Sequence, residues 1–151
     1  MNINEIPVRV AVDKLAPHLN KAMNALDTAS RDTKLETGLL ELVRTRVSQI
    51  NGCAYCVDMH SGDAVTGGED PRRVYTLPVW REAPFFTGRE QAALELAEAM
   101  TRLSEAPVAE ETIARAGEHF TEVELAELIW TVTVINAWSR LGATARPWTL
   151  K

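Results

Sequence analysis

Two cysteines and one histidine form the most informative group in this sequence. Cys53 and Cys56 are the chain's two cysteines, and His60 follows four residues after the second. If a helix begins at Cys53, the three side chains lie at positions i, i+3 and i+7 and share one face. A helix N-terminus and a C-x-x-C spacing both lower the pKa of a thiol, and the thiolate is the nucleophilic form. The spacing therefore predicts a reactive cysteine.

Redox chemistry is the reaction that this arrangement favours. Cys56 would attack an oxidant and become a sulfenic acid, and Cys53 is close enough to condense with it into a disulfide. His60 lies one helical turn beyond Cys56, where it can take or return a proton.

Other uses of the motif remain open. Cysteines are often small buried apolar residues, and Cys53, Cys56, His60 and a carboxylate could bind zinc. Structural zinc sites mostly use two separated ligand pairs, and the sequence offers no second pair. A c-type haem site needs a histidine directly after the second cysteine, but Val57 stands there. A thioredoxin-like fold needs a strand before the motif, where the sequence predicts a helix.

The helix before the motif is amphipathic and ends at Asn51-Gly52. Glu41 and Ser48 fall on the face opposite its apolar stripe, where glutamates are usually solvated. The stripe consists of Leu39, Leu42, Val43, Val47 and Ile50.

The remaining chain predicts an all-α fold of about six or seven helices in a single domain of residues 1–151. A helix opens near Pro17, a short one spans about residues 54–66, and Asp70-Pro71 can cap another. Two capping boxes, Thr87 to Glu90 and Thr121 to Glu124, start later helices. The apolar residues 125–141 follow the second box. Their β-rich part, residues 128–135, could be a strand, but the cap and Gly142 favour a central or interface helix.

Other conspicuous residues have ordinary interpretations. His18 and His119 have no clustered partners and are expected at the surface or in loops. The four tryptophans are expected to be core or interface anchors; they are Trp80, Trp130, Trp138 and Trp148.

Composition and charge argue against several classes of function. The chain has 151 residues and a net charge of −5, and no basic cluster exceeds a pair such as Arg72-Arg73, so nucleic-acid binding is not expected. The longest charge-free stretch among the most apolar segments, residues 128–139, is shorter than the roughly 20 residues that a membrane helix needs. The N-terminal residues have no signal-peptide pattern. We therefore expect a soluble, cytoplasmic protein.

The segment ELVRTRVSQINGCAYCVDMH, residues 41–60, closely resembles the core of the alkylhydroperoxidase D-like proteins of the carboxymuconolactone decarboxylase superfamily. The resemblance is strongest over residues 35–66 and continues more loosely through residues 80–87 and 135–141. It implies an all-α protein that assembles as a homotrimer or homohexamer. It also implies thiol peroxidase or disulfide reductase activity on hydroperoxides, with a thiol or dithiol protein as electron donor. We expect no cofactor or metal.

The resemblance also implies roles for individual residues. Cys56 would be the peroxidatic thiol, Cys53 would resolve it and receive electrons, and Glu41 and His60 would relay protons. Ser48 is a further candidate for a supporting role. The best-known members carry a histidine at the position of Tyr55, and a phenol, which titrates near pH 10, cannot replace it as a base. Tyr55 could still donate a hydrogen bond.

Two alternatives use the same residues differently. A non-catalytic oligomeric module would bind zinc or a small ligand. A decarboxylase-type enzyme would use Glu41 and His60 alone, although the decarboxylase branch lacks the usual cysteine pair that this chain retains.

Overall fold

The computed structural model describes residues 6–150, which form helices and no strand, so the predicted all-α class is confirmed. Residues 1–5 and 151, which the predicted domain includes, lie outside the described residues. The helices are α1 (Val12–Leu15), α2 (Pro17–Ser30), α3 (Thr37–Asn51), α4 (Ala54–Thr66), α5 (Pro71–Thr76), a 3-10 helix (Leu77–Glu82), α6 (Gly88–Thr101), α7 (Glu110–Gly117) and α8 (Glu122–Ala145).

Helix α3 is the central element of the fold. It packs against α4, α6 and α8, and ten consecutive residues, 39–48, are buried. The expectation from the apolar stripe that Glu41 is solvated is therefore wrong. Glu41 is 4% exposed and Ser48 is fully buried, because neighbouring helices cover both faces of α3.

Local sequence signals set most helix boundaries. Gly52 ends α3 in the left-handed conformation, with φ of 67°, which a glycine adopts without steric cost. The side chain of Asp70 accepts a hydrogen bond from the backbone N–H of Arg72 at the start of α5. Both predicted capping boxes are present, at Thr87 for α6 and at Thr121 for α8.

Helix α8 contains the β-rich residues 128–135, so the helical interpretation is confirmed and the strand alternative is wrong. The helix packs against α2, α3, α4 and α6, which explains why it is apolar on several faces. Although α8 has 24 residues, no helix within residues 6–150 is both long and apolar enough to cross a bilayer.

The buried carboxylate of Glu98 on α6 links this helix to α3 and to the 3-10 helix through hydrogen bonds. Glu98 accepts hydrogen bonds from Arg46 Nε at 2.8 Å and from the Trp80 indole at 3.0 Å. The exposed Arg81 donates a third, at 2.6 Å. Burial alone would raise the pKa of Glu98, but the hydrogen bonds from Arg81, Arg46 and Trp80 outweigh it and lower the pKa below its ordinary value.

Helix α2 covers one side of α8 and has no buried residue. The Trp138 indole on α8 donates a hydrogen bond to Asp27 Oδ1 at 3.1 Å. His18 on α2 and His119 after α7 are exposed, as predicted. Trp80 is a core residue, whereas Trp130 is exposed.

Candidate active site

The two cysteines lie where α3 ends and α4 begins. Cys53 is the N-cap of α4 in extended conformation, and its sulfur accepts a hydrogen bond from the backbone N–H of Cys56 at 3.3 Å. Its own N–H donates to the carbonyl of Ser48 at 3.1 Å. The two residues are joined by a disulfide. The predicted helix N-terminus is therefore present, and the pair can close into a disulfide within one turn.

Helix α8 packs closely against the disulfide at Gly142. A Cβ built on this glycine would lie 2.5 Å from Cys53 Sγ and 3.4 Å from Cys56 Sγ. It would also lie 3.3 Å from a ring carbon of Trp148. Both cysteines are almost fully buried, at 1% and 2% exposure.

Glu41 on α3 and His60 on α4 form a buried pair. Glu41 Oε2 and His60 Nδ1 are 2.8 Å apart, and Arg44 donates to Glu41 Oε1 at 2.6 Å. Burial alone would raise the pKa of Glu41, but the hydrogen bond from His60 and the charge of Arg44 outweigh it and hold the pKa below its ordinary value. The carboxylate is therefore ionised at neutral pH.

The ionised carboxylate fixes the tautomer of a neutral His60. A carboxylate only accepts hydrogen bonds, so Nδ1 must carry the hydrogen that it donates to Glu41. Nε2 is then the nitrogen that can take up or release a proton. A base that is oriented in this way by a third group is the arrangement that activates a nucleophile in many enzymes.

A cavity of about 300 Å³ opens beside this pair. Cys56, His60 and Tyr55 from α4 line it, together with residues from α2, residues from α8 and Trp148. Cys53 is not among the residues that line it. A small molecule in the cavity would therefore meet the sulfur of Cys56 before that of Cys53.

The predicted site residues do not all meet. Glu41 contacts His60, and His60, Cys56 and Tyr55 line the same cavity, whereas Glu41 and Cys53 are not among its lining residues. The Tyr55 ring packs against Trp148, with ring centroids 5.3 Å apart. Ser48 is buried, but its hydroxyl donates to the Arg44 carbonyl at 2.7 Å rather than to a predicted site residue.

Sequence reasoning missed three residues of the site. Arg44 lies three positions after Glu41 on α3, which is the spacing of a helical ion pair, so a signal was present. Arg31 lies 3.8 Å from Glu41 Oε1 and lines the cavity. Neither Arg31 nor Trp148 carries a local signal, because both reach the site through tertiary packing.

The acidic and histidine side chains allow one metal-binding group within residues 6–150. Glu41, His60 and Asp63 can place ligand atoms within 4.8 Å of one another. This set differs from the zinc alternative predicted from Cys53, Cys56 and His60. Both oxygens of Glu41 already contact His60 and Arg44, so a cation would compete with these partners for the carboxylate.

Comparison with protein families identifies relatives of the chain. Residues 17–99 match the model of the carboxymuconolactone decarboxylase family. The uncharacterised protein YdfG of Bacillus subtilis (strain 168) is 37% identical over 134 residues, which cover 89% of this chain and 91% of YdfG.

Solved structures share the fold. A protein of unknown function from Agrobacterium tumefaciens, ATU0492, suggested to be the antioxidant defence protein AhpD, is 30% identical and superposes with a TM-score of 0.92. The match covers 96% of this chain and 99% of that one. The debrominase Bmp8 has a TM-score of 0.79 at 22% identity, covering 88% and 72% of the two chains. At that identity the likeness concerns the fold alone.

Proposed function

Because the chain belongs to the carboxymuconolactone decarboxylase family and is AhpD-like, we propose that it is a thiol-dependent peroxidase. Its two cysteines would reduce hydroperoxides, and a thiol or dithiol protein would restore them. The observation that carries the proposal is the disulfide-forming pair at the start of α4, of which Cys56 faces a cavity shared with His60. The Glu41 carboxylate orients this histidine.

The first step is nucleophilic attack by Cys56. The Nε2 atom of His60 takes the thiol proton, and the thiolate attacks the terminal oxygen of the hydroperoxide. An S–O bond forms and the O–O bond breaks. The leaving alkoxide takes a proton from His60 and departs as an alcohol, and Cys56 becomes a sulfenic acid.

The second step closes the disulfide. The Cys53 thiolate attacks Cys56 Sγ, so that an S–S bond forms and the S–O bond breaks. The hydroxide that leaves combines with the proton that the Cys53 thiol released, and water forms. Two thiols have then given two electrons to one hydroperoxide, and an external dithiol returns the electrons by thiol–disulfide exchange.

The proposal is tested by counting thiols. Reduced, desalted protein is treated with one equivalent of hydroperoxide, then alkylated and weighed intact. We expect the wild type to lose two thiols and two hydrogens. We expect Cys53→Ser to gain one oxygen at Cys56, and Cys56→Ser to keep its thiol. Sustained peroxide consumption by Cys56→Ser, or wild-type thiols that stay unreactive, would refute the proposal.

A decarboxylase-type reaction with Glu41 and His60 alone is the competing function. This reaction requires neither sulfur atom. The decarboxylase hypothesis is therefore retained only if activity persists after both Cys53 and Cys56 are replaced by alanine. Nothing in the geometry of the pair favours it over the thiol reaction.

A further inference from the structure

Three aromatic side chains form one side of the cavity beside Cys56. The Trp148 ring lies 5.3 Å from Tyr55 and 5.7 Å from Trp138, measured between centroids, and meets Trp138 nearly edge-on. Aromatic pairs at 4.5–7 Å in such orientations attract one another. The three rings therefore support each other as one wall, and all three line the cavity.

Helix α2 and Arg31, the residue that directly follows it, supply the charged side of the cavity, and their charges are paired. Arg31 Nε donates to Asp27 Oδ2 at 2.8 Å, and Arg31 Nη1 lies 3.8 Å from Glu41. Asp27 also accepts the hydrogen bond from Trp138. Because the guanidinium already faces two carboxylates, an anionic ligand would gain little from it. The amides of Asn20 and Asn24 line the same side and suit an uncharged polar group.

The chain turns sharply to place Trp148 in this wall. Arg146 ends α8 in the left-handed conformation, with φ of 47°, which residues other than glycine adopt infrequently. The turn directs the chain back along the helix, so that the Trp148 ring lies over Gly142. The indole thus reaches the disulfide and the cavity from the end of the chain.

We infer that this cavity binds an uncharged ligand built on one flat aromatic ring, and that Trp148 is the residue that determines this specificity. A cavity of about 300 Å³ is at the lower end of the range for small-molecule sites, so a single ring fits. The inference rests on the proposed function for the reacting group, which is a hydroperoxide on a carbon atom attached to the ring. Cumene hydroperoxide has this chemistry, and the reaction would convert it into cumyl alcohol and water.

Binding is measured first, without turnover. Cumyl alcohol lacks the O–O bond, so it can be titrated into the oxidised protein and followed by calorimetry. We expect Trp148→Ala to weaken binding about tenfold, since an aromatic contact is lost, and Trp148→Phe to weaken it less. Trp130→Ala is the matched control, because this indole is 56% exposed and does not line the cavity. The ringless tert-butanol should bind more weakly than cumyl alcohol to the wild type.

Selectivity is measured second. The ratio of kcat/KM for cumene hydroperoxide to that for tert-butyl hydroperoxide should fall about tenfold in Trp148→Ala and stay at the wild-type value in Trp130→Ala. Circular dichroism of each variant establishes that it is folded.

The two measurements separate the two proposals. If cumyl alcohol binds and Trp148→Ala weakens it, the ring site is supported even when no hydroperoxide is turned over, and only the peroxidase function fails. If cumyl alcohol does not bind, or binds equally well to Trp148→Ala, the ring site is refuted even when peroxidase activity is present.

Discussion

Glu41 and His60 are joined by a hydrogen bond across the interface between α3 and α4, with Oε2 and Nδ1 2.8 Å apart. The other carboxylate oxygen contacts Arg44, so each oxygen of Glu41 has its own partner. In this arrangement the carboxylate acts through the histidine, which makes Glu41 a positioning residue.

Replacement of Glu41 by glutamine tests this role. Glutamine keeps the shape but removes the charge that holds the His60 tautomer, so we expect kcat/KM for hydroperoxide to fall by roughly 10²-fold. The pH profile of kcat/KM should also shift, which a purely structural role would not produce. Glu36→Gln is the control, because Glu36 is an exposed carboxylate just before α3. An unchanged pH profile in a folded Glu41→Gln protein would contradict the prediction.

The two buried carboxylates predict how stability depends on pH. Glu41 and Glu98 both have a pKa below the ordinary value of 4.5, because their hydrogen-bonding partners outweigh burial. A carboxyl group with a lowered folded-state pKa contributes stability above 4.5, and the contribution is lost as pH falls through the folded-state pKa. We therefore expect the free energy of unfolding to decrease below about pH 4.5.

Urea unfolding of the wild type, Glu41→Gln and Glu98→Gln between about pH 3 and pH 7 checks this dependence. Each glutamine variant should lose stability less steeply with acid, because one titrating group has been removed. If the variants lose stability with falling pH as steeply as the wild type, the acid sensitivity arises from other titratable groups.

Replacement of Gly142 by alanine is expected to have an unusual effect on stability. Alanine in a helix normally stabilises relative to glycine by about 0.8–1 kcal/mol, but at this position its Cβ would lie 2.5 Å from Cys53 Sγ. We expect Gly142→Ala to destabilise the oxidised protein by about 1–3 kcal/mol through overpacking. Thermal unfolding of oxidised protein measures the effect.

Gly62 offers the matched control for this substitution. It lies inside α4, and a Cβ there would meet no atom within 4 Å. Gly62→Ala should therefore stabilise the protein by up to about 1 kcal/mol. If both alanine variants gain stability equally, the close approach of α8 to the disulfide has no energetic consequence.

Local rules explain what could be predicted from the sequence. Gly52, Thr87 and Thr121 act on backbone groups within a few residues, so their signals can be read without knowledge of the fold. The cysteine pair was recognisable for the same reason, since its geometry depends on one turn of α4.

Tertiary packing explains what the sequence alone could not provide. The pattern of α3 placed Glu41 on a solvated face, because an amphipathic stripe does not reveal that other helices cover the second face. Trp148 reaches the site because Arg146 adopts the left-handed backbone conformation. This conformation is uncommon for arginine, so the sequence does not predict the turn. Both cases depend on contacts between segments that are distant in the chain.

Helix α2 has no buried residue, although it provides one side of the cavity, whereas Cys56 and His60 are buried on α4. Exposed positions tolerate substitution far better than buried ones. The side of the cavity that recognises a ligand can therefore diverge while the reacting groups stay fixed. An ancestral protein of this shape could acquire new substrates through changes on α2 and the C-terminal segment without rebuilding its redox centre.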